Sequence, residues 1–145
     1  MRENFFVVIM AGGIGTRFWP VSRTEFPKQF HDILGRGKSL VQETFDRFAA
    51  YIPEENIYIV TNERYNDLVQ EQLPVLKQDQ ILLEPIGRNT APCVAYASYK
   101  IHSKIPNATL VVAPADHLIQ DEEMFKEDIL LAMNTASKKE VIMTL

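Results

Sequence analysis

The chain has 145 residues, 46% of them hydrophobic and 23% charged, with a formal net charge of −4. That supports one domain with a real core, and it argues against a general nucleic-acid binder, whose footprint would be basic. The one cysteine, Cys93, excludes an intrachain disulfide and predicts a reducing compartment. The apolar start is too short for a signal h-region or a membrane span, so a cytoplasmic protein without a membrane partner is expected.

In chain order, Phe5 to Met10 is a short apolar run rich in β-formers, which predicts a buried parallel strand. It runs into Ala11-Gly12-Gly13-Ile14-Gly15-Thr16-Arg17, where three glycines in four residues let the backbone turn sharply and approach a ligand closely. Backbone N–H groups freed in such a turn form an anion site. Arg17, Arg23 and Lys28 put fixed positive charge beside it, a guanidinium gripping phosphate as a fork and a lysine acting as a point charge. The reading is a polyphosphate cradle at the exit of the first strand. A plain strand-to-helix turn with surface cations is the bland alternative.

Ser39 followed by Gln42 predicts a capping box, and a helix carries Leu40, Phe45, Phe48 and Ala49 to about Tyr51 before Pro53. Ile57–Val60 predicts a second strand. Thr61 or Asn62 caps a helix with Tyr65, Leu68, Val69 and Leu73, which ends before Pro74. Ile81–Leu83 is a third strand. Asn89 or Thr90 caps a helix that has Pro92 in its first turn and carries Val94, Ala97, Tyr99 and Ile101. Thr109–Val112 is a fourth strand. Asp121 opens a helix with an acidic first turn and with Phe125, Ile129, Ala132, Met133 and Ala136 inward. Val141–Leu145 closes the chain as a fifth strand-like run. Strands alternating with helices predict a three-layer α/β/α domain with a mainly parallel, Rossmann-like sheet. Ligands in such sheets bind beyond the carboxyl ends of the strands, where strand order reverses. Gly12, Glu84 and Asp116 all follow strands at that end.

Two commoner glycine loops fail. A dinucleotide fingerprint needs a third glycine where Phe18 stands, and a Walker A ending at Gly37-Lys38-Ser39 needs glycine where Asp32 stands. Gly12-Gly13-Ile14-Gly15-Thr16-Arg17 with Pro20 and Pro27-Lys28 instead resembles the signature of nucleotidyltransferases that join a nucleoside triphosphate to a sugar 1-phosphate. Trp19-Pro20-Val21-Ser22-Arg23 with Pro27-Lys28-Gln29-Phe30 is similar to the mannose-1-phosphate guanylyltransferase branch. Glu84-Pro85-Ile86-Gly87-Arg88-Asn89-Thr90-Ala91-Pro92 resembles that branch's second motif, and Ala113-Pro114-Ala115-Asp116 a third.

The resemblance implies the nucleotide-diphospho-sugar transferase type of fold, with the first and fourth strands adjacent. It implies transfer of GMP from GTP to mannose 1-phosphate. Arg17 and Lys28 then act on the phosphates, and Arg23 is a weaker phosphate contact. The nucleotide lies on Ala11, Gly12, Gly13, Gly15, Thr16, Arg17, Glu84, Arg88, Asn89, Thr90 and Ala115, and Asp116 binds Mg²⁺. The partners are GTP and mannose 1-phosphate, a homodimer is allowed, and no nucleic acid is involved. Residues 1–145 form the N-terminal nucleotide-binding part of a nucleotidyltransferase domain, with the sugar-binding part, the second metal carboxylate and the C-terminal part downstream. Two rivals stay open: another base or sugar in the same chemistry, and a nucleotide-binding fragment without catalysis.

Overall fold

The structure is a computed structural model that describes residues 4–87, 89–139 and 142. Four strands, β1 (Phe5–Met10), β2 (Ile57–Asn62), β3 (Ile81–Glu84) and β4 (Thr109–Pro114), alternate with four helices, α1 (Leu40–Ala49), α2 (Asn66–Gln72), α3 (Thr90–Lys104) and α4 (Glu122–Lys139). All pairings are parallel and the sheet order is β3-β2-β1-β4. The order reverses between β1 and β4, which run side by side from Phe5↔Thr109 to Met10↔Pro114. The expected adjacency of the first and fourth strands is therefore observed. The expected fifth strand, Val141–Leu145, lies outside the described residues except for Ile142.

The unbroken apolar run of β1 has a direct cause. Phe5, Val7 and Ile9 enter one core with Val41, Phe45 and Phe48 of α1, Val69 of α2, and Ile129 and Met133 of α4. Phe6 and Val8 enter the opposite core with Cys93, Ala97 and Ile101 of α3. A strand covered on both faces has no polar side to show. The sheet is thus sandwiched, as the alternating pattern predicts. On α3 the buried residues recur every four positions, while Tyr99 is exposed.

Local signals explain the starts of α1 and α4. The amide N–H of Ser39 donates to Gln42 Oε1 (2.9 Å) and the amide N–H of Gln42 to Ser39 Oγ (3.4 Å), completing the capping box of α1. Asp121 Oδ1 accepts the amide N–H of Met124 (3.0 Å) at the start of α4. Asn62 caps a 3₁₀ turn, Glu63–Tyr65, which precedes α2. Asn89 occupies the cap position of α3 but its side chain makes no capping bond; its backbone stands at φ 66°, ψ −166°, a region that strains a side-chain-bearing residue. The expected side-chain cap at Asn89 or Thr90 is not formed.

The long segment between β1 and α1 is tied to the body by aromatic packing. Phe30 is buried with its ring centroid 5.8 Å from that of Tyr65, and the Tyr65 hydroxyl donates to the Thr24 carbonyl at 2.7 Å.

Candidate functional site

At the exit of β1 the chain is held by its neighbour before it turns. The amide N–H of Ala11 donates to the Val60 carbonyl (2.8 Å). The Ala11 carbonyl accepts Thr61 Oγ1–H at 2.9 Å and Gln29 Nε2–H at 2.8 Å. The same Gln29 amide nitrogen donates to the Gly13 carbonyl at 2.9 Å. Ser22 Oγ–H donates to the Ile14 carbonyl (2.8 Å), and Ser22 Oγ accepts the amide N–H of Lys28 (2.9 Å). Gly15 stands at φ 65°, and a Cβ there would lie 2.6 Å from Ser22 Oγ and 3.0 Å from Lys28 Cγ. Only glycine allows both that conformation and that packing. The loop ends in a 3₁₀ turn, Thr16–Phe18.

Lys28 and Asp116 meet across this loop. The Lys28 ammonium forms an ion pair with Asp116 Oδ2 and sits 5.1 Å from the centre of the Phe18 ring. Asp116 is delivered by β4: the buried Ala115 donates its N–H to the Met10 carbonyl (3.1 Å), and its carbonyl accepts Thr44 Oγ1–H (3.2 Å). The loop after β1 and the carboxylate after β4 therefore meet at the switch point of the sheet. Beside the pair lies a cavity of about 170 Å³, lined by Phe18, Glu43, Thr44 and His117 among others.

Glu84 closes the other side of the loop. It ends β3, pairs in register with Asn62, and is 9% exposed. Its Oε2 lies 3.4 Å from where a Cβ on Gly12 would be. Burial pushes the Glu84 carboxyl above its ordinary value. The neighbouring Cys93 thiol is pushed up to about 12, by burial first and then by the Glu84 charge, so it is a packed thiol and not a nucleophile.

The remaining expected residues are less engaged. Thr16 and Arg17 are exposed on the 3₁₀ turn. Arg23 donates through Nε to the Pro20 carbonyl (3.2 Å). Asn89 and Thr90 are exposed at the start of α3, and Arg88 lies outside the described residues. Gly35 and Gly37, the P-loop look-alike, have positive φ, but their turn closes on Asp32. That carboxylate accepts the N–H groups of Arg36 (2.9 Å) and Gly37 (2.8 Å), which hold its carboxyl below its usual range. The turn is filled by its own anion.

Among the described residues no group of three or more His, Cys, Asp or Glu gathers as a metal cage. Asp116 alone fits the sparse protein ligation typical of Mg²⁺, which keeps waters and substrate phosphates in its shell. Sequence reasoning missed Gln29, Ser22 and Thr61, the residues that hold the loop. A polar residue between Lys28 and the apolar Phe30 was the available signal for Gln29.

A nucleotidyl transferase family model matches residues 6–145. The alginate biosynthesis protein AlgA of Pseudomonas aeruginosa is 41% identical over 138 residues, 94% of this chain and 28% of that protein. The mannose-1-phosphate guanylyltransferase RfbM of Salmonella typhimurium is 41% identical over 143 residues, covering 96% and 29%. The chain thus spans less than a third of the length of these relatives. A crystal structure of a mannose-1-phosphate geranyltransferase from Thermus thermophilus superposes with a TM-score of 0.79 at 30% identity, over 92% of this chain and 38% of that one. The glycine loop after β1, the carboxylate after β4 and a match that runs from the first strand to the last residue lead to one assignment: the chain belongs to the nucleotidyl transferase family.

Proposed function

We propose that the protein transfers GMP from GTP to mannose 1-phosphate, giving GDP-mannose and pyrophosphate. The observation that carries this reading is the meeting of Lys28 and Asp116 at the glycine loop. One cation for phosphate and one carboxylate for a metal share a single point at the ligand end of the sheet. The choice of guanine and mannose rests on the likeness to the guanylyltransferases.

In the reaction a phosphate oxygen of mannose 1-phosphate attacks the α-phosphorus of GTP in line. The new P–O bond forms as the bond to the bridging oxygen breaks, and pyrophosphate leaves with the electron pair. The nucleophile is already an anion, so no strong base is required. Catalysis is then positioning and charge stabilisation. Lys28 and Arg17 hold the triphosphate and stabilise the leaving group, while the backbone of Gly12, Gly13 and Gly15, with Ala11, Thr16 and Ala115, borders the nucleotide. Glu84, Arg88, Asn89 and Thr90 border its base and ribose. Asp116 would hold Mg²⁺, which supplies neutralisation of phosphate charge when bound. Binding requires Lys28 to leave Asp116 for the phosphates, so the ion pair reserves both groups until nucleotide arrives.

The residues 1–145 act as the N-terminal nucleotide-binding part, and the sugar site and a second metal carboxylate come from further chain. A second reading, a nucleotide-binding unit without turnover, is favoured by the chain's spanning only 28% to 29% of the relatives it matches. Pyrophosphate release is the test, using these residues within a full-length enzyme and alone, with GTP, UTP, dTTP or ATP and mannose 1-phosphate. Release with GTP by the full-length enzyme and little by the shorter chain is expected. A preference for another triphosphate, or none, contradicts the assignment.

A further inference from the structure

We infer that Gln29 is the positioning residue that aims the backbone N–H groups of the glycine loop at the phosphates, an inference that rests on the nucleotide reading above. Gln29 is 3% exposed and belongs to the 3₁₀ turn Lys28–Phe30. Its amide is the only part of the side chain with hydrogens to donate, and both acceptors it meets are carbonyls, those of Ala11 and Gly13. A peptide bond is planar and trans, so each carbonyl points opposite to the N–H of the next residue. Drawing the Ala11 carbonyl inward, a hold that Gln29 shares with Thr61 Oγ1–H, turns the Gly12 N–H outward. Drawing the Gly13 carbonyl inward does the same for Ile14. Ser22, bonded to the Ile14 carbonyl, completes the series at Gly15.

The consequence is visible in the hydrogen-bond pattern. Among the described residues, the N–H groups of Gly12, Gly13 and Ile14 donate to no protein acceptor, and Gly13 and Ile14 are exposed. Consecutive unpaired N–H groups cost free energy unless water or a ligand accepts them, and an outward set of them is an anion receptor. The same short turn sends Lys28 to the rim beside Asp116 and anchors itself through the buried Phe30. One turn thus sets both halves of the cradle, the point charge and the amides.

The test uses pyrophosphate, which engages only the phosphate half, and guanosine, which engages only the base half. Gln29→Met keeps length and volume but removes both donors. It is expected to weaken pyrophosphate binding by about tenfold or more while leaving guanosine affinity within about twofold of the original. In the unmodified chain pyrophosphate is expected to shift the Gly12 and Ile14 amide resonances; in the variant the Ile14 shift is lost, while the Gly12 shift is reduced, since Thr61 still holds the Ala11 carbonyl. The same fold-loss is expected in a Lys28→Met background, because the route is the loop and not the lysine. Gln29→His, which keeps one ring N–H, is expected to fall between and serves if the methionine variant does not fold. A folded Gln29→Met that binds pyrophosphate undiminished overturns the inference alone. So does an equal loss for guanosine, or a loss that vanishes without Lys28. An unmodified chain that binds neither pyrophosphate nor GTP overturns the nucleotide reading and the inference with it.

Discussion

At the scale of single residues, the site holds charged groups close together and partly out of water. Lys28 and Asp116 offset each other's charge in the free protein, whereas Glu84 is buried and its burial raises the carboxyl above its ordinary value. Its raised pKa is therefore a statement about stability. Between the ordinary carboxyl value and the raised one, the folded protein binds more protons than the unfolded chain, so stability falls as pH rises through that window. Above the raised value the full cost is present. Glu84→Gln is expected to melt above the unmodified protein at pH ~7 and to converge with it as pH is lowered toward ordinary carboxyl values; the same variant is expected to bind GTP more weakly. Melting curves across pH, with a parallel GTP titration, check both halves. Lys28 is expected to matter for turnover and not for folding, since its ammonium lies at the rim. In a full-length enzyme Lys28→Ala is expected to cost about 10²-fold or more in rate with an unchanged circular-dichroism spectrum, and near-normal turnover would remove it from the phosphate clamp.

At the scale of elements, local sequence signals were legible where a residue acts on its own neighbours. The capping box at Ser39 and Gln42 was readable because both partners lie within one turn. Ser39 also donates from Oγ to Gln72 Oε1 at 2.6 Å, a link to α2 across 33 positions that no local pattern announces. Ser39→Ala is expected to destabilise the protein by about 1–2 kcal/mol, read by urea unfolding; a loss under about 0.3 kcal/mol would show that the cap contributes little. Strand ends were less legible. β2 continues through Asn62 and β4 through Pro114, since Glu84 and Met10 across the ladder supply their partners. A strand's length is set by its neighbours as much as by its own side chains. The loop's supports were the least legible part of the site. Gln29, Ser22 and Thr61 reach the loop from 8 to 50 positions away, and their importance comes from which carbonyls they meet. The glycines stood out by residue type and by their position after a strand, whereas Lys28, Glu84 and Asp116 stood out through the motifs that resemble the family.

For the whole molecule, the strand order β3-β2-β1-β4 brings residues separated by 88 positions, Lys28 and Asp116, to one ion pair. The net charge of −4 coexists with a cationic loop, so whole-chain charge did not foretell the charge of the site. No helix among the described residues is long and apolar enough to cross a membrane. On the far side of β4, between α3 and α4, the chain leaves a broad groove of about 790 Å³ that includes Val94, Leu110, Val112 and Ile129. The hollow after β1 is expected to grip a row of phosphate oxygens. The most direct measurement is a crystal structure of the chain with GTP and Mg²⁺. Phosphate oxygens are expected within about 3 Å of Lys28 Nζ and of the Gly12 and Ile14 amide nitrogens, with Lys28 released from Asp116. Triphosphate bound elsewhere, with the Lys28–Asp116 pair intact, would contradict the account.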